Sequence, residues 1–117
     1  MNAVAIDPAL PNASTILRST EISVDGRSRK GSISANGDVT IQDQNRSSVS
    51  GATVHATWTL PDGSTVDQAA TVSGSGIARF NVSGTAGMYR LTVTDIVKTD
   101  FTFDPNRSIL SGLGYIF

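Results

Sequence analysis

Apolar and polar residues alternate with a period of two in several separate stretches of this chain. The clearest stretch is 52–60, where Val54, Ala56 and Trp58 fall on one face and threonines and a histidine fall on the other. A period of two with β-branched residues on the outer face is typical of a strand that is buried on one side. The stretch therefore predicts a strand with one face in a hydrophobic core.

Further alternating stretches are separated by turn signals. Asp25-Gly26 ends the first of them, and Pro61-Asp62-Gly63-Ser64 combines the preset φ of proline with the positive φ that glycine supplies. About seven strands with turns every eight to twelve residues or so, and no helical periodicity, indicate an all-β Greek-key sandwich. The other predicted strands cover 21–24, 32–41, 65–72, 78–82, 89–93 and 101–103.

The dipeptide Asn36-Gly37 allows two interpretations of the segment 32–41. Asn-Gly is favoured in two-residue hairpin turns, which would divide the segment into two short strands. Alternatively, the glycine marks a β-bulge within one long strand. The second interpretation is preferred here.

The core of such a sandwich is predicted from the inward positions of the alternating strands. Trp58 lies on a middle strand, where sandwiches bury a large aromatic side chain. Gly87-x-Tyr89 opens a late strand and resembles a tyrosine corner, in which the phenol bonds to an upstream backbone group. The predicted core residues are Val54, Trp58, Phe80, Tyr89, Leu91 and Val93.

The first 19 residues differ from the rest of the chain. They contain Pro8 and Pro11, several small polar residues and no sustained alternation. This pattern predicts a linker or extended lead-in over 1–19. The sandwich domain is accordingly expected over 20–117.

Composition and charge exclude several classes of function. The net charge is −1 and the chain has no cysteine, so a basic nucleic-acid surface, a disulfide and a thiolate site are not expected. No apolar stretch approaches the roughly 20 residues of a membrane helix, so membrane insertion is not expected. No cofactor is predicted.

The residue types that carry catalysis or bind metals are sparse. His55 is the sole histidine, and it lies between threonines on the outer face of its predicted strand. Asp43-x-Asn45-x-Ser47 imitates the start of a calcium loop, but serine and valine stand where that loop has its glycine and its bidentate glutamate. We therefore expect a polar turn at 43–48, no metal site, and a protein that is not an enzyme.

An ordered set of short motifs resembles bacterial immunoglobulin-like (Ig-like) domains. Such domains occur near the C-terminus of secreted hydrolases, notably subtilisin-like proteases, and in cell-surface proteins. The resemblance extends over 39–111, about 70 of the 117 residues. Its motifs are Val39–Asp43, Val49–Val54, Trp58, Gly76–Phe80, Gly87–Asp95 and Phe101–Pro105.

The resemblance implies an Ig-like Greek-key sandwich that serves as an accessory domain of a secreted or cell-surface bacterial protein. Such a domain would act as a spacer, a stabiliser or an interaction domain, and would contact a neighbouring domain of the parent protein or an extracellular polymer. We expect it to be a monomer or a weak oligomer.

Two other functions remain open from the sequence. A carbohydrate-binding module would use exposed aromatic side chains, for which Phe101, Phe103 and Tyr115 are the candidate ligand contacts. An adhesin-type repeat would occur in tandem copies. The apolar tail 113–117 is expected to complete an edge strand or to pack beneath the sandwich.

Overall fold

In the part of the chain that the structure describes, eight β-strands and one turn of 3₁₀ helix make up the fold. The computed structural model describes residues 16–30 and 32–117. Within them the predicted all-β, two-sheet architecture is confirmed, with eight strands rather than about seven. The strands are β1 Ile16–Arg29, β2 Ser32–Gln42, β3 Thr53–Thr59, β4 Thr65–Thr71, β5 Ile77–Gly84, β6 Gly87–Val97, β7 Thr102–Phe103 and β8 Ser111–Ile116, with the 3₁₀ turn at Pro105–Arg107.

The strands form two four-stranded sheets that enclose the core. One sheet has the order β5-β2-β1-β7, and the other has the order β4-β3-β6-β8. The short β7 runs parallel to the start of β1, and the remaining neighbours are antiparallel. β7 pairs only with Ile16 and Leu17, so most of β1 has a strand neighbour on one side only within the described part of the chain.

The strand β1 is longer than the sequence indicates. It begins at Ile16, inside the segment 1–19 expected to be a lead-in, while residues 1–15 lie outside the described residues. It also continues past Asp25-Gly26, which does not end it, because both residues pair with β2. A register shift between Ser19 and Glu21 reverses the alternation, so that Leu17 and then Ile22 both face the core.

The strand β2 is continuous through Asn36-Gly37. Gly37 lies opposite Val24 of β1 and Phe80 of β5, with no register shift at that point. The single long strand is therefore correct and the predicted bulge at Gly37 is wrong. A Cβ on Gly37 would lie 2.5 Å from Leu91 Cδ2 and 3.0 Å from Trp58 Cη2, so the glycine provides space for the core rather than a bend.

The core lies between the sheets and centres on two aromatic rings. Trp58 and Tyr89 are fully buried, and their ring centroids lie 6.4 Å apart at an interplanar angle of 85°. This edge-to-face geometry is a favourable one for aromatic pairs. The side chains of Val54, Phe80, Leu91 and Val93 are buried in the same cluster.

The phenol of Tyr89 links the core to the turn before β6. Its hydroxyl donates a hydrogen bond to the Thr85 carbonyl at 2.6 Å, in the manner of a tyrosine corner. Burial, and secondarily the negative charge of Asp62, raise the pKa of Tyr89 above its ordinary value of 10.0. The phenol therefore keeps the proton that it donates.

An amide side chain bridges the two sheets at the edge opposite β8. Gln68 of β4 accepts a hydrogen bond from Trp58 Nε1 at 3.0 Å. Its own Nε2 donates to the Asn81 carbonyl on β5 at 2.7 Å. Nothing in the sequence marks Gln68 for this role, because a glutamine in an alternating stretch gives no sign of its partners.

Candidate functional site

Exposed apolar side chains are concentrated in the last nine residues. Six large hydrophobic side chains are exposed in the described part of the chain, and five of them lie in 109–117. No charged residue occurs from 108 to 117. A contiguous apolar surface of this kind marks an interaction site more often than isolated exposed residues do. We call Leu113, Tyr115 and Phe117 the apolar stripe.

The stripe lies on the outer face of β8, an edge strand. Leu113 and Tyr115 are exposed and alternate with Gly112, Gly114 and Ile116, which face the other sheet. Among the described residues, this strand has only β6 as a neighbour in its sheet. The tail therefore completes an edge strand, as expected, and its Ile116 side chain also packs into the core.

The main-chain hydrogen bonds of β8 show which of its residues bond to β6 and which face the free edge. Val93 N–H donates to the Leu110 carbonyl at 2.7 Å, which makes these two residues a hydrogen-bonded pair. Such pairs alternate along an antiparallel ladder, so Gly112 and Gly114 are the next residues that bond to β6. The N–H and C=O groups of Leu113 and Tyr115 consequently point away from β6, toward the free edge.

Two aromatic rings form the most exposed part of the stripe. The side chains of Tyr115 and Phe117 are 66% and 78% exposed. Their ring centroids lie 6.4 Å apart and their planes are nearly parallel, at 14°. Met88 of β6 is paired with Tyr115 and is half-buried beside it. The rings and the neighbouring aliphatic side chains thus form one apolar surface.

Glycines hold β8 close to the opposite sheet. A Cβ on Gly112 would lie 2.8 Å from Ile22 Cγ2, and one on Gly114 would collide with the Val24 carbonyl oxygen. The two glycines therefore let β1 approach β8 at backbone distance. The Ile116 side chain fills the space over Gly26 in the same seam. The position of the stripe is thereby fixed by contacts on its inner side.

A polar clamp fixes the segment that leads into β8. Ser19 is fully buried, its Oγ donates to the Ile109 carbonyl at 2.6 Å, and its carbonyl accepts from Ile109 N–H. Ser19 N–H in turn donates to Ser108 Oγ, whose hydroxyl donates to the Asp104 carbonyl. The segment before β8 is therefore held against β1 of one sheet at a defined point. The chain then enters β8, which pairs with β6 of the other sheet.

The three candidate ligand contacts from the sequence do not form one surface. Tyr115 is exposed on the stripe, whereas Phe101 and Phe103 are half-buried and pack against the core. Lys98 Nζ lies 5.6 Å from the centre of the Phe101 ring, which covers that ring further. Phe117, not the two earlier phenylalanines, is the aromatic partner of Tyr115.

The polar residues that the sequence offers for catalysis or metal binding have surroundings different from those of the stripe. His55 is exposed on the outer face of β3, opposite Asp95 and Ala69 of the adjacent strands. Asp43 Oδ1 accepts hydrogen bonds from the N–H groups of Asn45 and Ser47, so its carboxylate stabilises the turn. Within 16–30 and 32–117, no group of three or more potential ligands could hold a metal ion.

The carboxylate of Asp62, at the β3–β4 turn, also accepts hydrogen bonds from its own turn. The hydroxyl and N–H of Ser64 both donate to Asp62 Oδ1. These bonds lower the pKa of Asp62 below its ordinary value.

In the described residues no helix has the length and apolar character that a membrane span requires.

The fold and the stripe together define an all-β sandwich with one apolar, uncharged edge. Comparisons of the chain with protein-family models, with curated proteins and with solved structures find no match.

Proposed function

We propose that the sandwich has the Ig-like Greek-key topology. The strand order supports this, because β2 pairs with β5 in one sheet and β3 pairs with β6 in the other. The connections from β2 to β3 and from β5 to β6 both cross between the sheets. Strands B, E, C and F have this relation in Ig-like sandwiches. β4 differs from the constant-type arrangement, because it pairs with β3 rather than with β5.

We infer that the chain is a non-catalytic accessory module that contacts its partner through the apolar stripe. The observation that carries this proposal is the uncharged, exposed β8 on an otherwise closed core. Natural edge strands are usually blunted by charge, proline or a covering loop, and an edge without these devices is suited to a partner. The rigid seam with β1 would present the stripe in one defined orientation.

The sequence motifs support a setting for this module. Their similarity to Ig-like domains supports a place in a secreted or cell-surface bacterial protein, as a spacer, stabiliser or interaction domain. The partner would be a neighbouring domain of the parent protein or an extracellular polymer. The uncharged stripe favours an apolar protein surface over a polyanion, which would need basic side chains.

One observation favours a second candidate function, carbohydrate binding. The nearly parallel rings of Tyr115 and Phe117 offer flat apolar surfaces on which a sugar ring could stack. Polar side chains that would fix the orientation of a sugar are fewer around the rings, where Arg90 lies opposite Leu113 and Ser111 precedes the stripe. Protein contact is therefore the first candidate.

Retention on insoluble polysaccharides separates the two functions. We expect the wild-type chain to pass through a panel of such polymers with no more retention than a folded control protein. Retention on one polymer that is lost both in Tyr115→Ala and in Tyr115→Leu would contradict protein contact through the stripe and assign a carbohydrate-binding module. Tyr115→Leu is the informative control, because it keeps apolar bulk on the stripe and removes the ring on which a sugar would stack.

A further inference from the structure

The β8 edge differs from the β4 and β5 edges of the sandwich. β4 carries Asp67, and its Gln68 side chain spans to the edge strand β5, which itself carries Arg79. β8 carries no charge, and the main-chain groups of Leu113 and Tyr115 point away from its neighbour. An unprotected edge with outward main-chain groups is a template for an added strand.

The sequence of β8 is complementary to itself. In an antiparallel pair with a twofold axis at Gly114, Leu113 of one copy lies opposite Tyr115 of the other on the outer face. On the inner face, each buried Ile116 lies opposite Gly112 of the other copy, which has no side chain to displace it. Both faces thus accept the same twofold register.

We propose that β8 pairs with β8 of a second copy of this chain, antiparallel about that axis, to form one continuous eight-stranded sheet. This inference rests on the proposed function, since it names the partner of the same stripe. The outward groups of Leu113 and Tyr115 would form about four hydrogen bonds across the axis. A twofold dimer uses the same surface on both copies and therefore closes, which prevents further growth through this edge.

The interface is small, and the dimer is accordingly weak. At 66% and 78% exposure, Tyr115 and Phe117 of two copies bring together roughly 600 Å² of aromatic surface. Leu113 and the strand edges add to this, but the total stays near the low end of specific interfaces, about 1,200 Å². We expect a reversible dimer with a dissociation constant on the order of 10 µM.

Sedimentation equilibrium of the full chain from about 1 to 500 µM spans that constant. We expect a monomer–dimer equilibrium in the wild type. Leu113→Lys and Tyr115→Glu should each raise the dissociation constant at least about tenfold, because each places a charge in the apolar interface. Ala69→Lys is the matched control, since it adds the same charge to the outer face of the other edge strand and should leave dimerisation unchanged.

Mixing the two charged variants tests the register. In the proposed pair, the lysine introduced at Leu113 faces the glutamate introduced at Tyr115, and the remaining Leu–Tyr pair is kept. We expect the mixture to form heterodimers at least about tenfold tighter than either variant forms homodimers. Both side chains are exposed, so the urea midpoints of the variants should match that of the wild type and show that the fold is intact.

A concentration-dependent dimer that both variants weaken and their mixture restores supports the proposal. A monomer at every concentration overturns it, as does a dimer that neither variant weakens or a mixture that restores nothing. A monomer whose retention on a polysaccharide needs the Tyr115 ring assigns the stripe to carbohydrate and also contradicts protein contact through the stripe. A monomer without such retention overturns the dimer alone and leaves the accessory role in place.

Discussion

Replacing Gly37 by alanine should lower the free energy of unfolding by about 2 kcal/mol. The added Cβ would lie 2.5 Å from Leu91 Cδ2 and 3.0 Å from Trp58 Cη2, both on fully buried side chains. Alanine restricts the unfolded chain more than glycine does, which by itself would stabilise the protein by about 0.4–1 kcal/mol. Overpacking costs about 1–3 kcal/mol and is the larger effect here.

Gly74→Ala is the matched control for this prediction. A Cβ on Gly74 has no atom within 4 Å, and its φ is not in the left-handed region. The same chemical change should therefore be neutral or slightly stabilising. Urea unfolding of both variants checks the pair of values. Equal effects at the two positions would show that Gly37 is not needed for space in the core.

Replacing Gln68 by leucine should lower the free energy of unfolding by about 2 kcal/mol. Trp58 is fully buried, and its indole N–H donates to Gln68 Oε1. Leucine fills a similar volume but leaves the N–H without this acceptor, at a desolvation cost of about 1–3 kcal/mol. The contact from Gln68 to the Asn81 carbonyl, which links β4 to β5, is lost in the same variant.

A double-mutant cycle with Trp58→Phe separates the contribution of the indole hydrogen bond from the other effects of Gln68→Leu on stability. In the Trp58→Phe background no indole N–H remains to be satisfied, so Gln68→Leu should cost at least about 1 kcal/mol less than in the wild type. Urea unfolding of the four proteins gives the coupling. Strict additivity would mean that the hydrogen bond between Trp58 and Gln68 does not contribute to stability.

The strands best predicted from the sequence are those in which more exposed and less exposed side chains alternate regularly. The alternation over 52–60 matches β3, and the predicted strand over 65–72 matches β4 to within a residue. The inward positions that define the core follow from the same period of two. The local pattern is sufficient in these strands because side chains that are adjacent in the chain face opposite sides of the sheet.

Tertiary contacts explain where the local signals failed. The sequence predicts a strand end at Gly26 and a bulge at Gly37, yet both lie in regular pairs of the β1–β2 hairpin. A Cβ on Gly26 would collide with the Ser34 carbonyl and with Ile116. A Cβ on Gly37 would collide with Leu91 and Trp58. A single sequence does not reveal such long-range neighbours. A glycine that a turn requires and a glycine that close packing requires therefore look the same in the sequence.

The candidate site was predicted in part. Tyr115 was chosen as a candidate contact and lies on the stripe, whereas Phe101 and Phe103 pack against the core. The sequence did not distinguish these residues, because all three lie in alternating segments near the end of the chain. The signal that could have done so is the uncharged segment 108–117, since an edge strand without charge is unusual unless it is covered.

Hydrogen–deuterium exchange of the peptide that covers β8, measured in dilute and in concentrated solution, tests the central claim most directly. The claim is that the β8 edge is open in the single chain and closed by its partner. In dilute solution the outward amides of Ser111, Leu113 and Tyr115 should exchange quickly, while Gly112 and Gly114 stay protected by β6. On concentration, the amides of Leu113 and Tyr115 should become protected, so the peptide should take up about two fewer deuterons, with no change in β4. Equal uptake at all concentrations, or new protection in β4 instead, would contradict the claim that β8 is the docking edge.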